Sequence, residues 1–104
     1  MRVTFLKRIH SCFASFSSKD VVLVRNIDIP IPPFRGLIVY DDEGWEAEVE
    51  TVEIDMGDCT LPPRVIAHTE SDRELYYLEG GTERRPIGEI VKEYLAHGWQ
   101  KETP

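Results

Sequence analysis

One extra residue in an alternating run constrains this chain more than any other feature. Trp45, Ala47 and Val49 alternate with Glu46, Glu48 and Glu50, and Val52 and Ile54 then continue the apolar set after a one-residue slip at Glu50-Thr51. A period of two is that of a β-strand with one covered face. Carried straight through, the slip would throw Val52 and Ile54 to the opposite face, so it predicts a β-bulge. Bulges bend their strand and let a sheet curl, and a small, strongly curved sheet is expected.

The rest of the chain fits around that strand. Residues 2–9 alternate weakly through Val3, Phe5 and Ile9, while Phe5, Leu6, Ile9, Cys12, Phe13 and Phe16 also share one helical face. The period does not decide, and their Val, Thr and Phe, with no cap residue before them, favour a strand. A turn at residues 17–20 leads to a strand within residues 21–29. The segment Ile29-Pro30-Ile31-Pro32-Pro33-Phe34-Arg35-Gly36 must then leave the sheet, because proline donates no ladder hydrogen bond, before Gly36 turns it back. A short strand at residues 37–40 and a hairpin loop at residues 41–44 precede the bulged strand. Strands are expected again at residues 64–70 and 74–78, joined by a turn at residues 71–73. Last, Ile87, Ile90, Val91, Tyr94 and Leu95 recur at helical spacing, with Pro86 suited to the first turn, Gly98 placed as the stop and Trp99 able to fold back. The expected fold is mainly β (α+β): one domain over residues 1–104, a small curled antiparallel sheet or SH3-like barrel of five or six strands with one C-terminal amphipathic helix.

A chain of 104 residues holds one domain, and its net charge of −7 is unevenly spread. Residues 1–35 carry six basic and two acidic side chains, residues 36–83 two and fourteen, and residues 84–104 four and three. The acidic middle repels phosphate backbones, which argues against nucleic acid. No apolar run approaches the roughly 20 residues that cross a bilayer, so a soluble protein without a membrane partner is expected. Cys12 and Cys59 are too few for a disulfide scaffold and are read as reduced, in keeping with a cytoplasmic location. Residues 1–19 have the basic, serine-rich composition of a transit peptide, but the favoured reading is a first structural element.

Five groups of residues carry chemistry. His68 and Glu70 stand two apart on one strand, about 7 Å by strand rise, as a base and its carboxylate would. His10 and Cys12, which Cys59, His68 and His97 could join, are metal-capable but lack the paired close spacing of a zinc site, so no metal and no cofactor is expected. Pro30 to Arg35 matches a P-x-x-P-x-R ligand of SH3 domains, yet the interleaved Ile29, Ile31 and Phe34 read as core side chains and favour a rigid crossover. Arg84 and Arg85 precede the helix start, where free amides favour an anion. Asp41, Asp42, Glu43, Glu46, Glu48 and Glu50 form an acidic loop and strand face. Such carboxylates point outward and cannot converge on calcium, but they can meet a basic surface. The expected function is therefore a non-enzymatic protein-interaction module whose acidic sheet face meets a basic protein partner or a second copy of the chain. The alternative is an accessory domain or small enzyme that binds an anionic or phosphorylated ligand near the helix N-terminus.

Overall fold

The computed structural model describes residues 1–11, 20–42, 45–76 and 84–102. Its centre is β1 (Arg2–His10), which pairs antiparallel along its length with β2 (Val21–Asp28). A second antiparallel unit follows: β3 (Ile38–Tyr40), β4 (Glu46–Asp55) and β5 (Arg64–Thr69). The two units join where β1 meets β5, and this pairing is parallel, from Val3 opposite Val65 to Leu6 opposite His68. Each unit is antiparallel within itself, but the proline-rich crossover brings β3 to the far side of the sheet, which sets β5 alongside β1 in the same direction. The sheet is thus mixed where an antiparallel one was expected. Its order is β3-β4-β5-β1-β2-β9, with β9 (Gln100–Lys101) on the β2 edge and β6 (Asp72–Arg73) extending the β5 side of β1. The result is a curled half-barrel with two open edges.

The bulge falls where the slip in the sequence placed it. Val49 lies opposite Thr69, and the register then shifts so that Thr51 lies opposite His68 and Val52 opposite Ala67. The extra residue keeps Ala47, Val49, Val52 and Ile54 on one face of the strand. Residues 71–73, expected as a turn, instead continue the pairing on β1, because β1 outruns β5 and leaves Ile9 and His10 free to bond Asp72 and Arg73. Of the strand expected at residues 74–78, β7 (Leu75–Tyr76) pairs with β8 (Arg84–Arg85) in a separate two-stranded ladder.

Helix α1 (Ile87–Ala96) covers the face that β1 presents through Val3, Phe5 and Ile9. Ile90 and Val91 enter a core completed by Leu23, Val49, Ala67 and Trp99. Gly98, at φ +90°, takes the left-handed conformation that ends the helix, and the Trp99 amide donates back to the Tyr94 carbonyl at 3.2 Å. The Trp99 ring then lies edge-on to Tyr94 and Trp45, with centroids 6.0 and 5.3 Å away, and is 1% exposed. Leu95, though on the expected apolar stripe, is 42% exposed, and of the crossover's apolar side chains Ile29 packs against the core whereas Ile31 and Phe34, expected there too, are 47% and 53% exposed. Among the described residues no helix is long and apolar enough to cross a membrane. Trp99→Ala is expected to lower the unfolding free energy in urea titrations by about 3–5 kcal/mol, and Leu95→Ala by less than about 1 kcal/mol. Equal losses would contradict this packing.

Candidate functional site

Strand alternation decides which acids reach solvent. Ala47 and Val49 are buried, so Glu46, Glu48 and Glu50 stand exposed on the other side of β4. Asp42, in the β3–β4 connection, is exposed as well. These four carboxylates make no hydrogen bond and no ion pair among the described residues. Asp41 behaves differently. Its Oδ1 accepts the Trp45 amide at 3.1 Å, and its Oδ2 lies 3.5 Å from His97 Nδ1 and 3.9 Å from Arg25 Nη1. Arg25 in turn stacks on Trp45 at 5.6 Å. Asp41 thus faces inward and ties the hairpin to the end of α1, across a cleft lined by Arg25, Asp41, Asp42, Ala96 and His97. Glu43 lies outside the described residues.

The start of α1 already holds an anion of its own. Glu74, 3% exposed, accepts the Ile87 amide through Oε2 at 2.9 Å and the Ser11 hydroxyl through Oε1 at 3.0 Å. A carboxylate here satisfies an amide that the helix itself leaves unpaired and complements the helix dipole. Arg85 is committed nearby, with Nη1 at 3.3 Å from Asp72 and Nη2 at 3.2 Å from Glu93. A further anion that used the Ile87 amide or Arg85 would compete with Glu74, Asp72 and Glu93. Arg84 is placed by its backbone in β8. Residues 80–82, the glycine-containing lead into this segment, lie outside the described residues.

Lys7 is the residue the alternation of β1 concealed. Position 7 belongs with Val3, Phe5 and Ile9, so a lysine there points under the helix. It is 2% exposed, and its ammonium sits 5.3 Å over the Tyr94 ring. Burial pushes the ammonium below its ordinary value, while the charges of Glu70, Asp72 and Glu50 pull the other way. The Tyr94 hydroxyl donates to Asp72 at 3.1 Å, and burial, with Asp72 beside it, holds that phenol well above its usual range. A lysine at an inward position of a strand was the signal in the sequence.

His68 points to the face of the sheet opposite α1, since its neighbour Ala67 is in the core. Its Nε2 lies 2.7 Å from Glu53 Oε1, so its carboxylate partner is Glu53 across the ladder and not Glu70 along the strand. Thr51 lies directly opposite His68 and Glu53 is its diagonal neighbour, a separation that a long carboxylate side chain spans. His68 and Arg85 lie on opposite faces and do not form one site. His10 Nδ1 meets Asp20 at 2.9 Å, Cys59 is exposed, Cys12 lies outside the described residues, and no group of three metal-capable side chains is found among the described residues. Comparison with protein-family models, with curated proteins and with solved structures finds no match to this chain. The functional reading therefore rests on the geometry.

Two stability outcomes follow from the buried charges. Lys7→Met is expected to raise the unfolding free energy at neutral pH by about 1–3 kcal/mol, since an apolar chain avoids the cost of burying an ammonium. With the folded value lowered from 10.5, that cost is full below the folded value and disappears as pH rises towards the unfolded one, so the advantage of the variant should shrink as pH approaches 10.5 and be lost above it. A variant less stable than the parent at pH 7 would contradict this. Glu74→Ala is expected to lose about 2 kcal/mol by urea titration through the unpaired Ile87 amide; an unchanged midpoint would contradict the cap.

Proposed function

We propose that this chain is a protein-interaction module that presents the outer face of β4 to a basic protein partner. The observation that carries the reading is the split among the acids. Asp41, Glu53, Asp55, Asp72 and Glu74 are bound to partners within the chain, whereas Asp42, Glu46, Glu48 and Glu50 are exposed and unneutralised among the described residues. Like charges at alternate positions of one strand repel, and a cationic surface brought against them relieves that repulsion and speeds encounter. The alternative ligand, an anion at the start of α1, is disfavoured by Glu74 and by the pairing of Arg85. An SH3-like architecture would by itself say nothing of function.

The reading predicts binding of a lysine-rich peptide that weakens by about tenfold or more between low and high salt. Fluorescence anisotropy measures it, and the triple variant Glu46→Lys, Glu48→Lys, Glu50→Lys should remove it. Binding that is indifferent to salt and survives in the triple variant would overturn the proposal.

A further inference from the structure

The outer half of β4 has a neighbour on one side only. Before the bulge, both backbone groups of Val49 are used by the β3 side: its amide donates to Leu37 and its carbonyl accepts from Gly36, each at 2.8 Å. The β3 ladder runs from Tyr40 opposite Glu46 to Ile38 opposite Glu48, and at Phe34 to Gly36 the chain turns away. Prolines 30, 32 and 33 carry no amide hydrogen, so the segment that would continue this ladder is poorly equipped to pair. Beyond the bulge, antiparallel ladders alternate between residues that bond their neighbour and residues that face away. Thr51 opposite His68, Glu53 opposite Ile66 and Asp55 opposite Arg64 bond β5, which turns the N–H and C=O of Val52 and Ile54 to the open side. Their side chains are 38% and 64% exposed.

Building on the acidic-face reading above, we propose that this open edge receives an extended segment of the basic partner as an added strand, one that alternates apolar residues with Lys or Arg. An incoming strand opposite Val52 and Ile54 would satisfy their backbone groups and cover their side chains with its own apolar residues. Its alternate side chains would fall on the other face, where Glu53 and Asp55 are already engaged by His68 and Arg64 and the carboxylate open to an incoming cation is Glu50, at the end of the row that Glu46 and Glu48 begin. A second copy of β4 would bring acids against acids on that face, and like charges directly opposite are destabilising. Charge complementarity therefore selects a basic partner over the chain itself.

Two peptides of one composition separate this proposal from a general attraction of charge. One alternates lysine with valine; the other gathers its lysines at one end. Strand addition predicts that the alternating peptide binds the parent chain about tenfold tighter or more. Methylating its valine amides should abolish that advantage, and methylating its lysine amides should not. On the protein side, Val52→Pro removes only an outward-facing amide and should abolish the preference. Equal affinities for the two peptides, lost in the Glu46→Lys, Glu48→Lys, Glu50→Lys variant, would overturn strand addition and leave the acidic-face reading standing. No binding of either peptide would overturn both. Concentration-dependent dimerisation of the chain that Val52→Pro removes would overturn the basic partner in favour of a second copy.

Discussion

The extra residue between Val49 and Thr51 governs how the rest of the chain can be arranged. A strand with a period of two cannot keep Ala47 and Val49 on the same face as Val52 and Ile54 across an odd spacing unless one residue is left out of the ladder. The bulge satisfies that requirement, and it also divides β4 into halves with different surroundings. The first half lies between β3 and β5 and sends Ala47 and Val49 into the buried interior. The second half is flanked by β5 alone among the described residues, with every residue from Glu50 to Asp55 exposed.

Helix α1 closes the covered half and is held at both ends by carboxylates. Glu74 binds its first amide, and Asp41 lies beside His97 at its last turn, where Trp99 returns to the core. Placing acids in these roles leaves a distinct set without internal partners. The net charge of −7 therefore includes carboxylates that join elements of the fold and, among the exposed ones, a row on β4 with an adjacent loop that gathers four on one stretch of surface. Lys7 under Tyr94 lies on the covered side, where the charges of Glu70, Asp72 and Glu50 act on its ammonium, while Glu46 and Glu48 lie outside that set.

What could be read from the sequence was local and periodic. The bulge, the helix from Ile87 to Ala96, the stop at Gly98 and the return of Trp99 each follow from spacing within a few residues or from one residue's conformational preference. Contacts between distant segments were not legible. The parallel approach of β1 and β5 depends on where the proline-rich crossover delivers the chain, and alternation carries no strand direction. Glu70 was the nearer carboxylate to His68 in sequence, yet Glu53 across the ladder is its partner. The arginines before α1 suggested an anion site because Glu74, ten residues upstream of Arg84, could not be foreseen as the group that binds the Ile87 amide. Lys7 falls on the inward set of β1 with Val3, Phe5 and Ile9, a position that the alternation alone assigns to an apolar side chain.

The division of β4 by its bulge is tested most directly by amide hydrogen exchange on the free chain, resolved residue by residue from Thr51 to Asp55. One open side predicts alternation: Thr51, Glu53 and Asp55, bonded to β5, exchange slowly, and Val52 and Ile54 exchange at least about tenfold faster. Uniform protection across all five amides would show that the outer edge is already paired and would contradict the account.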